Sequence, residues 1–453
     1  MNRRLVTLAA VGALALAAGC SGTSGGGSGA PGPAAQLGDP NDHTPVTITF
    51  WHGFSDPREQ GIMKQALDQF HASHSWITVK AVGAVDDDKI VKAIRGGTAP
   101  DVALSFSADR LGAYCSSGAW IDLKPYLDRD KVDVNMFPKA VQGYTQFNGT
   151  RCAMPALSDV YGLYYNTDLL TKAGFSAPPK TASELMNMAL KLTEYNPDGS
   201  IKVLGFDPTW AFYEMVAAHL APAWGAQWRD GSGKSNIGKD PHWAAMVRWQ
   251  KAFVDAIGLD KLKRFGGDAA STEFSANNLF ETGKLAMNID GEWRVAFVRS
   301  EHPELKFDTA PFPTDDSQPN LYGAGYVTGN VIGIPKTSKH REAAWALVKF
   351  LSTDTDALVT LSNGLRNVPT TLDSLKSSKL TPDPQFSTFL KIFANPNTAS
   401  SPIIAAGSQN QDLLATYLEK YQAGKGGDLA TGLTTVDRQI DDAAARAEKQ
   451  GPP

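Results

Sequence analysis

The chain has 453 residues, a formal net charge of −4 and only three cysteines. A mildly acidic balance of 43 Lys and Arg against 47 Asp and Glu argues against a general nucleic-acid binder, which needs a basic face. The roughly 410 residues beyond the N-terminal segment are too many for one core, so two lobes are expected.

Asn2-Arg3-Arg4 is a short basic start, and Leu5–Ala18 an apolar run too short for a comfortable membrane span. Its end, Leu16-Ala17-Ala18-Gly19-Cys20, resembles a bacterial lipobox. That resemblance implies a lipoprotein signal peptide over residues 1–19, cleavage before Cys20, and acylation of Cys20 on its sulfur and new N-terminus. Cleavage removes Arg3 and Arg4 and no acid, taking the net charge from −4 to −6. The Gly/Ser/Pro-rich residues 20–45 read as a lipid-anchored flexible tether. No later apolar run approaches a span, so the expected membrane contact is the lipid alone.

Folded elements then follow in order. Pro45–Phe54 alternates as a strand, and Ile62, Met63, Ala66, Leu67 and Phe70 form one helical stripe over residues 57–74. A strand from Trp76, a short helix ending at Gly96-Gly97 and a strand over Asp101–Phe106 complete a strand–helix alternation that predicts right-handed βαβ units and a parallel sheet. Asn148-Gly149 marks a tight turn. Gly162–Asn166 is a further strand, and Thr181-Ala-Ser-Glu184 a capping box opening a helix. Residues 210–290 read as mainly helical. Strands are expected at Lys284–Asp290 and in "GNVIGIPK", followed by a helix with Ala344, Leu347, Val348 and Leu351 inward and a mostly helical last hundred residues. Cys115 and Cys152, an even pair in an exported chain, are expected to form a disulfide rather than remain buried thiols.

Catalytic and phosphate patterns fail in context. Gly22–Gly26 matches Gly-x-Ser-x-Gly but lies in the tether, and Gly231–Ser235 lacks both the first glycine and the strand of a P-loop. No His-Glu-x-x-His exists and the cysteines lack metal-ligand spacing, so no metal or cofactor is expected.

Three stretches carry a family signal: Gly96–Leu127, Phe147–Phe175 and Phe280–Val298, the last reading "FETGKLAMNIDGEWRVAFV". Together with the later "APFPT" and "GAGYVTGNVIGIPK" they resemble the extracellular solute-binding proteins of bacterial ABC sugar importers, in the branch that includes maltose-binding protein. The resemblance implies a two-lobe α/β periplasmic-binding-protein-like fold whose hinge closes on a ligand cleft. It implies an N-terminal lobe of residues 46–156 plus 310–338 and a C-terminal lobe of 157–309 plus 339–450. The chain would cross between lobes near Met154–Leu157 and Ala310–Thr314, stiffened by Pro155, Pro311 and Pro313.

Sugars offer apolar C–H faces and hydroxyls, which aromatic platforms, carboxylates, amides and Arg receive. Trp293 matches the family's stacking aromatic, or packs in the core. Asp159 matches a hinge-side acid, or serves as a cap or surface group. Asp109-Arg110 matches a ligand-contacting pair, or makes a structural ion pair. Trp51 and His52 end the first strand and face the cleft or only the turn. Trp210 is the choice among Trp210, Phe212 and Tyr213, while Trp224 and Trp228 suit the core. Gly325 and Tyr326 allow close backbone approach, or mark a bulged strand. Arg366 and Asn367 are polar candidates, although Arg366 precedes the local proline where the family's arginine follows it.

The implied function is capture of a carbohydrate, most simply an oligosaccharide, by a lipid-anchored monomer that delivers it to ABC permease subunits, with no catalysis. One alternative is a glycerophosphodiester such as glycerophosphocholine, held by Arg366, Arg110 and a tryptophan cage. A secreted glycoside hydrolase would need a carboxylate pair, for which Asp159 and Glu292 are the nominees. A surface adhesin is a further class.

Overall fold

Among the described residues ten strands organise the fold, and their pairing explains why two lobes share one framework. The computed structural model describes residues 37–450 apart from Asp268; the expected signal peptide and Cys20 lie outside the described residues. β1 (Val46–Trp51), β2 (Ile77–Val82) and β3 (Val102–Ser105) are parallel, in the order β2-β1-β3. β4 (Ala153–Asn166) follows, then a small hairpin of β5 (Glu194–Tyr195) and β6 (Ile201–Val203). β7 (Met287–Gly291), β8 (Phe307–Ala310), β9 (Val327–Gly333) and β10 (Val368–Pro369) complete the set. β9 lies antiparallel to both β3 and β4. The fully parallel sheet expected from the N-terminal alternation therefore stops after three strands. β9 arrives from the other lobe and enters in the opposite sense.

β4 is the shared member. Its residues Ala153–Val160 pair with β9, and Tyr161–Asn166 with β7 and β8. The first crossing thus lies at Val160–Tyr161, slightly beyond the expected Met154–Leu157. Residues 311–326 return between β8 and β9, near the expected second crossing. A third passes through β10, which pairs with Leu157 and Ser158 of β4.

The helix Pro57–Ser73 starts at Asp56, whose side chain accepts from the amides of Arg58 and Glu59. It buries Met63, Ala66 and Phe70 and packs on the helix Thr355–Leu365. Gly364 permits that approach, since a β-carbon there would sit 2.5 Å from Ile62. The helix Arg341–Thr353 covers β1 and β3 with Ala344, Leu347, Val348 and Leu351. Both helices therefore belong with the first lobe, which corrects the expected division at residue 339: their apolar stripe completes the cover of the parallel strands. The tether was expected to be flexible to residue 45. Its described end instead rests on this lobe, with the Gly38 amide donating to Glu342 and His43 stacked 3.7 Å from Trp76.

Local signals agree with the sequence. Thr181 and Glu184 form a reciprocal capping box. Asn148 and Gly149 both have positive φ, and Phe147 and Thr150 exchange two 2.9 Å backbone hydrogen bonds around them. Cys115 and Cys152 are bonded, tying the helix Leu111–Ser116 to the approach to β4.

Candidate ligand-binding cleft

Alternation along β4 sets the site. Asp159 and Tyr161 point to one face, two residues apart, where the strand passes from one lobe's sheet to the other's. Trp293 follows β7 and meets Tyr161 edge-on, with centroids 5.5 Å apart. Tyr161 stacks on His219 at 3.6 Å, and both rings adjoin Tyr326, at 5.8 and 5.0 Å. The result is an aromatic run, Trp293–Tyr161–His219–Tyr326, contributed by four separate segments. Trp293 is half-buried and its indole N–H has no hydrogen-bond partner among the described residues.

Carboxyls and amides flank this run. Asn367 donates one amide to Asp159 at 2.7 Å and to Glu292 at 3.0 Å, and Asn330 donates to the other oxygen of Asp159 at 3.0 Å. Glu292 also accepts from the Val160 amide at 2.7 Å. At the far end, the Tyr326 hydroxyl donates to Asp109 at 3.2 Å, beside Ser401 and Gln411. A cavity of about 680 Å³ opens at Tyr326, bounded by the Asn148-Gly149 turn, Trp228 and Ser401. Another, of about 350 Å³, lies at the strand-end loops among Gly53, Phe106 and Arg110. A β-carbon at Gly53 would sit 2.3 Å from the Phe106 ring, so any larger residue there would displace that ring.

Several expected ligands are committed elsewhere. Arg110 pairs with Asp88 at 2.8 Å and Asp87 at 3.8 Å, so the ion-pair reading holds for it. Arg366 closes the helix Thr355–Leu365 with a left-handed backbone. Its guanidinium reaches Asp383 at 3.8 Å and the Thr381 carbonyl at 3.2 Å, away from the aromatic run. His52 is buried between Phe50 and Phe54, and desolvation lowers its pKa to about 4. Trp51 lies under the Lys89 ammonium at 5.5 Å. Trp210 is buried, and its amide donates to Gln422. The Gly325 amide donates to Thr398, and a β-carbon there would press on Ile392 at 2.5 Å; this glycine serves packing. Trp224 is buried and Trp228 half-buried. Tyr161, His219 and Glu214, whose carboxylate lies 3.5 Å from His219 Nδ1, were missed. The period-2 spacing from Asp159 was the available signal for Tyr161; the other two carry none.

The buried acids make stability depend on pH. Desolvation pushes Asp109 and Asp207 up to about 6, and Asp159 and Glu273 up to about 7. Unfolded carboxyls titrate near 4, so between these values the folded chain holds more protons, and stability falls as pH rises. His52 and His219, lowered to about 4 and about 3 by desolvation, act oppositely, but only below their unfolded value of about 6.5. Above that the carboxyls act unopposed, joined in the same sense by His302, which its hydrogen bond to the Ala276 carbonyl raises. The melting temperature is therefore expected to drop between pH 6.5 and 8 in scanning calorimetry; a flat or rising profile would contradict the burial of these acids.

Comparison with known proteins agrees with this geometry. The family described as bacterial extracellular solute-binding protein matches residues 55–357. A binding protein of Brucella abortus (strain 2308) is 25% identical over 304 residues, covering 66% of this chain and 68% of its own length. The maltotriose-binding protein of Pyrococcus abyssi (strain GE5 / Orsay) is 20% identical over 344 residues, 74% of this chain and 69% of the relative. The solved structure of CpMnBP1 with mannotriose bound superposes with a TM-score of 0.75 at 25% identity, covering 89% of this chain and all of that one.

Proposed function

The chain belongs to the bacterial extracellular solute-binding proteins, and from that premise we propose that it captures an oligosaccharide between its lobes for an ABC importer. The observation that carries this reading is the aromatic run Trp293–Tyr161–His219–Tyr326 flanked by Asp159, Asn367 and Asp109. Rings take the apolar faces of sugars, and the acids and amides take hydroxyls. The cavity at Tyr326 extends the site beyond one ring. A ligand contacting both lobes favours the closed arrangement, which a permease then recognises. Anchoring through Cys20 would hold the binding protein, a monomer, near that permease.

The other readings are weaker. A phosphodiester needs a free guanidinium, whereas Arg366 and Arg110 are already paired. Glu292 is fully buried, with both carboxyl oxygens engaged, which suits a hydrolase poorly.

The test is a thermal-shift screen of the form lacking residues 1–20 against neutral mono- and oligosaccharides and glycerophosphodiesters. A ligand at a hundred times its Kd adds about 2.7 kcal/mol of stability. For the sugar that shifts the transition, Trp293→Ala is expected to weaken binding by about 10- to 100-fold, the loss of one stacking ring. Unchanged affinity in that variant would remove Trp293 from the site. A response to phosphodiesters alone would overturn the sugar reading.

A further inference from the structure

One wall of the cleft belongs to neither lobe's sheet. Residues 394–408 join the helix Pro384–Phe393 to the helix Gln409–Gln422 with no helix or strand of their own. This strap starts at the joint between the lobes. The Val327 amide donates to the Ala399 carbonyl, and the Ala399 amide to the Gly325 carbonyl, both at 3.1 Å. Ser401 then adjoins the Tyr326 hydroxyl at 3.1 Å, and residues 399–403 line the cavity of about 680 Å³. From the second lobe, Arg229 donates to the Ile403 carbonyl, Asn410 to the Pro402 carbonyl and Gln411 to Ser401.

The far side of the strap rests on the first lobe's helix Leu111–Ser116. Ser116 Oγ donates to the Ala405 carbonyl at 3.3 Å, and Ile404 and Ala405 are buried there. Gly112 marks the closest approach. A β-carbon at this position would lie 1.9 Å from the Ile404 carbonyl oxygen and 2.5 Å from its carbon. Both are backbone atoms, so no rotamer change relieves the clash, and the two surfaces would have to part by about 1.5 Å to reach ordinary contact. Neither surface gives easily. The strap is fastened by the hydrogen bonds just named. The helix is fixed through Cys115, which is bonded to Cys152 just before β4. Gly407 repeats the tight fit: its φ is +68°, and a β-carbon there would lie 3.3 Å from Ala113.

We propose that Gly112 is a positioning residue for ligand capture. Its bare Cα lets the strap seat on the first lobe without ligand, and that seat sets the angle between the lobes and the place of the strap wall of the cavity. This rests on capture between the lobes, as read above, and deepens it. Because the strap starts at the joint, a small displacement at Gly112 acts on a short lever arm and turns one lobe on the other.

The experiment is a distance measurement by pulsed electron resonance. Spin labels go on cysteines replacing exposed Lys92 in the first lobe and exposed Lys263 in the second, in the form lacking residues 1–20, which keeps every described residue. No sugar is added. Gly112→Ala and Gly112→Val are expected to shift the inter-label distance in one sense, valine further, by more than about 1.5 Å. Gly61→Ala, on an open face of the first lobe, should leave the distance in place. Ser116→Ala removes only the bond to Ala405 and should broaden the distribution; it decides the matter if both Gly112 variants fail to fold. Parent-like distances in every folded variant overturn the proposal, because the strap would then have yielded alone. A second arm titrates the same variants with maltotetraose and β-1,4-mannotetraose by calorimetry. A tetramer that the parent binds should bind Gly112→Ala about tenfold more weakly, since fewer molecules hold the competent angle. A shifted distance with unchanged affinity overturns the positioning role. If the parent answers neither these tetramers nor the wider panel described above, the capture reading falls, and the label distances judge the seat separately.

Discussion

Replacing Arg294 with methionine is expected to cost about 3–5 kcal/mol of folding stability. The guanidinium is fully buried, with Nε 2.8 Å from Asp290 and Nη1 2.9 Å from Glu281, both acids also fully buried at the side chain. Burial alone opposes its charge, and the two carboxyls more than offset that, so its pKa is raised. Methionine keeps much of the volume, including the packing against Phe274 and Phe297, but leaves two acids without a cation. Those acids then relieve the strain by protonation. Desolvation already holds Glu281 at about 7 and raises Asp290 while Arg294 pulls both down. Removing that pull raises them further, so the variant's deficit should grow from pH 5 to pH 8. Adding Glu281→Gln and Asp290→Asn to Arg294→Met should recover most of the loss. Urea titration of the parent, single and triple variants at both pH values checks this. A single variant as stable as the parent would show that the triad is not the buried charge system described.

Removing the Cys115–Cys152 bond is expected to cost about 4 kcal/mol, the chain-entropy value for a loop of this size. The bond joins residues 37 apart in sequence and encloses the helix Lys124–Asp130 and the Asn148-Gly149 turn. Cys152 is fully buried at the start of the strand that both lobes share, so its partner holds the first lobe's loops to that strand. Alanine at both positions avoids adding a buried hydroxyl. In urea, the double variant should unfold at lower concentration and with a steeper dependence, because its unfolded chain exposes more surface. An unchanged midpoint would mean that the bond does little for stability.

What was legible in the sequence was whatever is local. The capping box at Thr181, the turn at Asn148 and the stripe on Pro57–Ser73 depend on neighbours within a few residues, and they appear as read. Asp159, Trp293 and Asp109 were nominated by their match to family segments and Tyr326 only by its place among small residues, and contacts now link them: Trp293 and Tyr326 both adjoin Tyr161, and Tyr326 donates to Asp109. Arg110 and Arg366 mark the limit. Both looked available, and both are neutralised by acids at distances in the chain that no periodicity reports, Asp88 and Asp383. Trp210 and His52 show the same limit for burial, since a strand end or a turn does not reveal what packs over it. His219 acquires its role only because the helix Ala217–Trp224 lays it on Tyr161. The third crossing, through the two residues of β10, was too short to register as a strand.

The continuity of β4 has a mechanical consequence. A swivel made of loops would let the halves of the molecule turn freely about one or two bonds. Here a fourteen-residue strand, bonded on both sides along much of its length, runs through the joint. Rotation has to be absorbed as twist spread over many peptide units, with the ladder bonds strained together rather than broken singly. The joint behaves as a leaf spring: it has a preferred angle, a restoring torque and a limited arc.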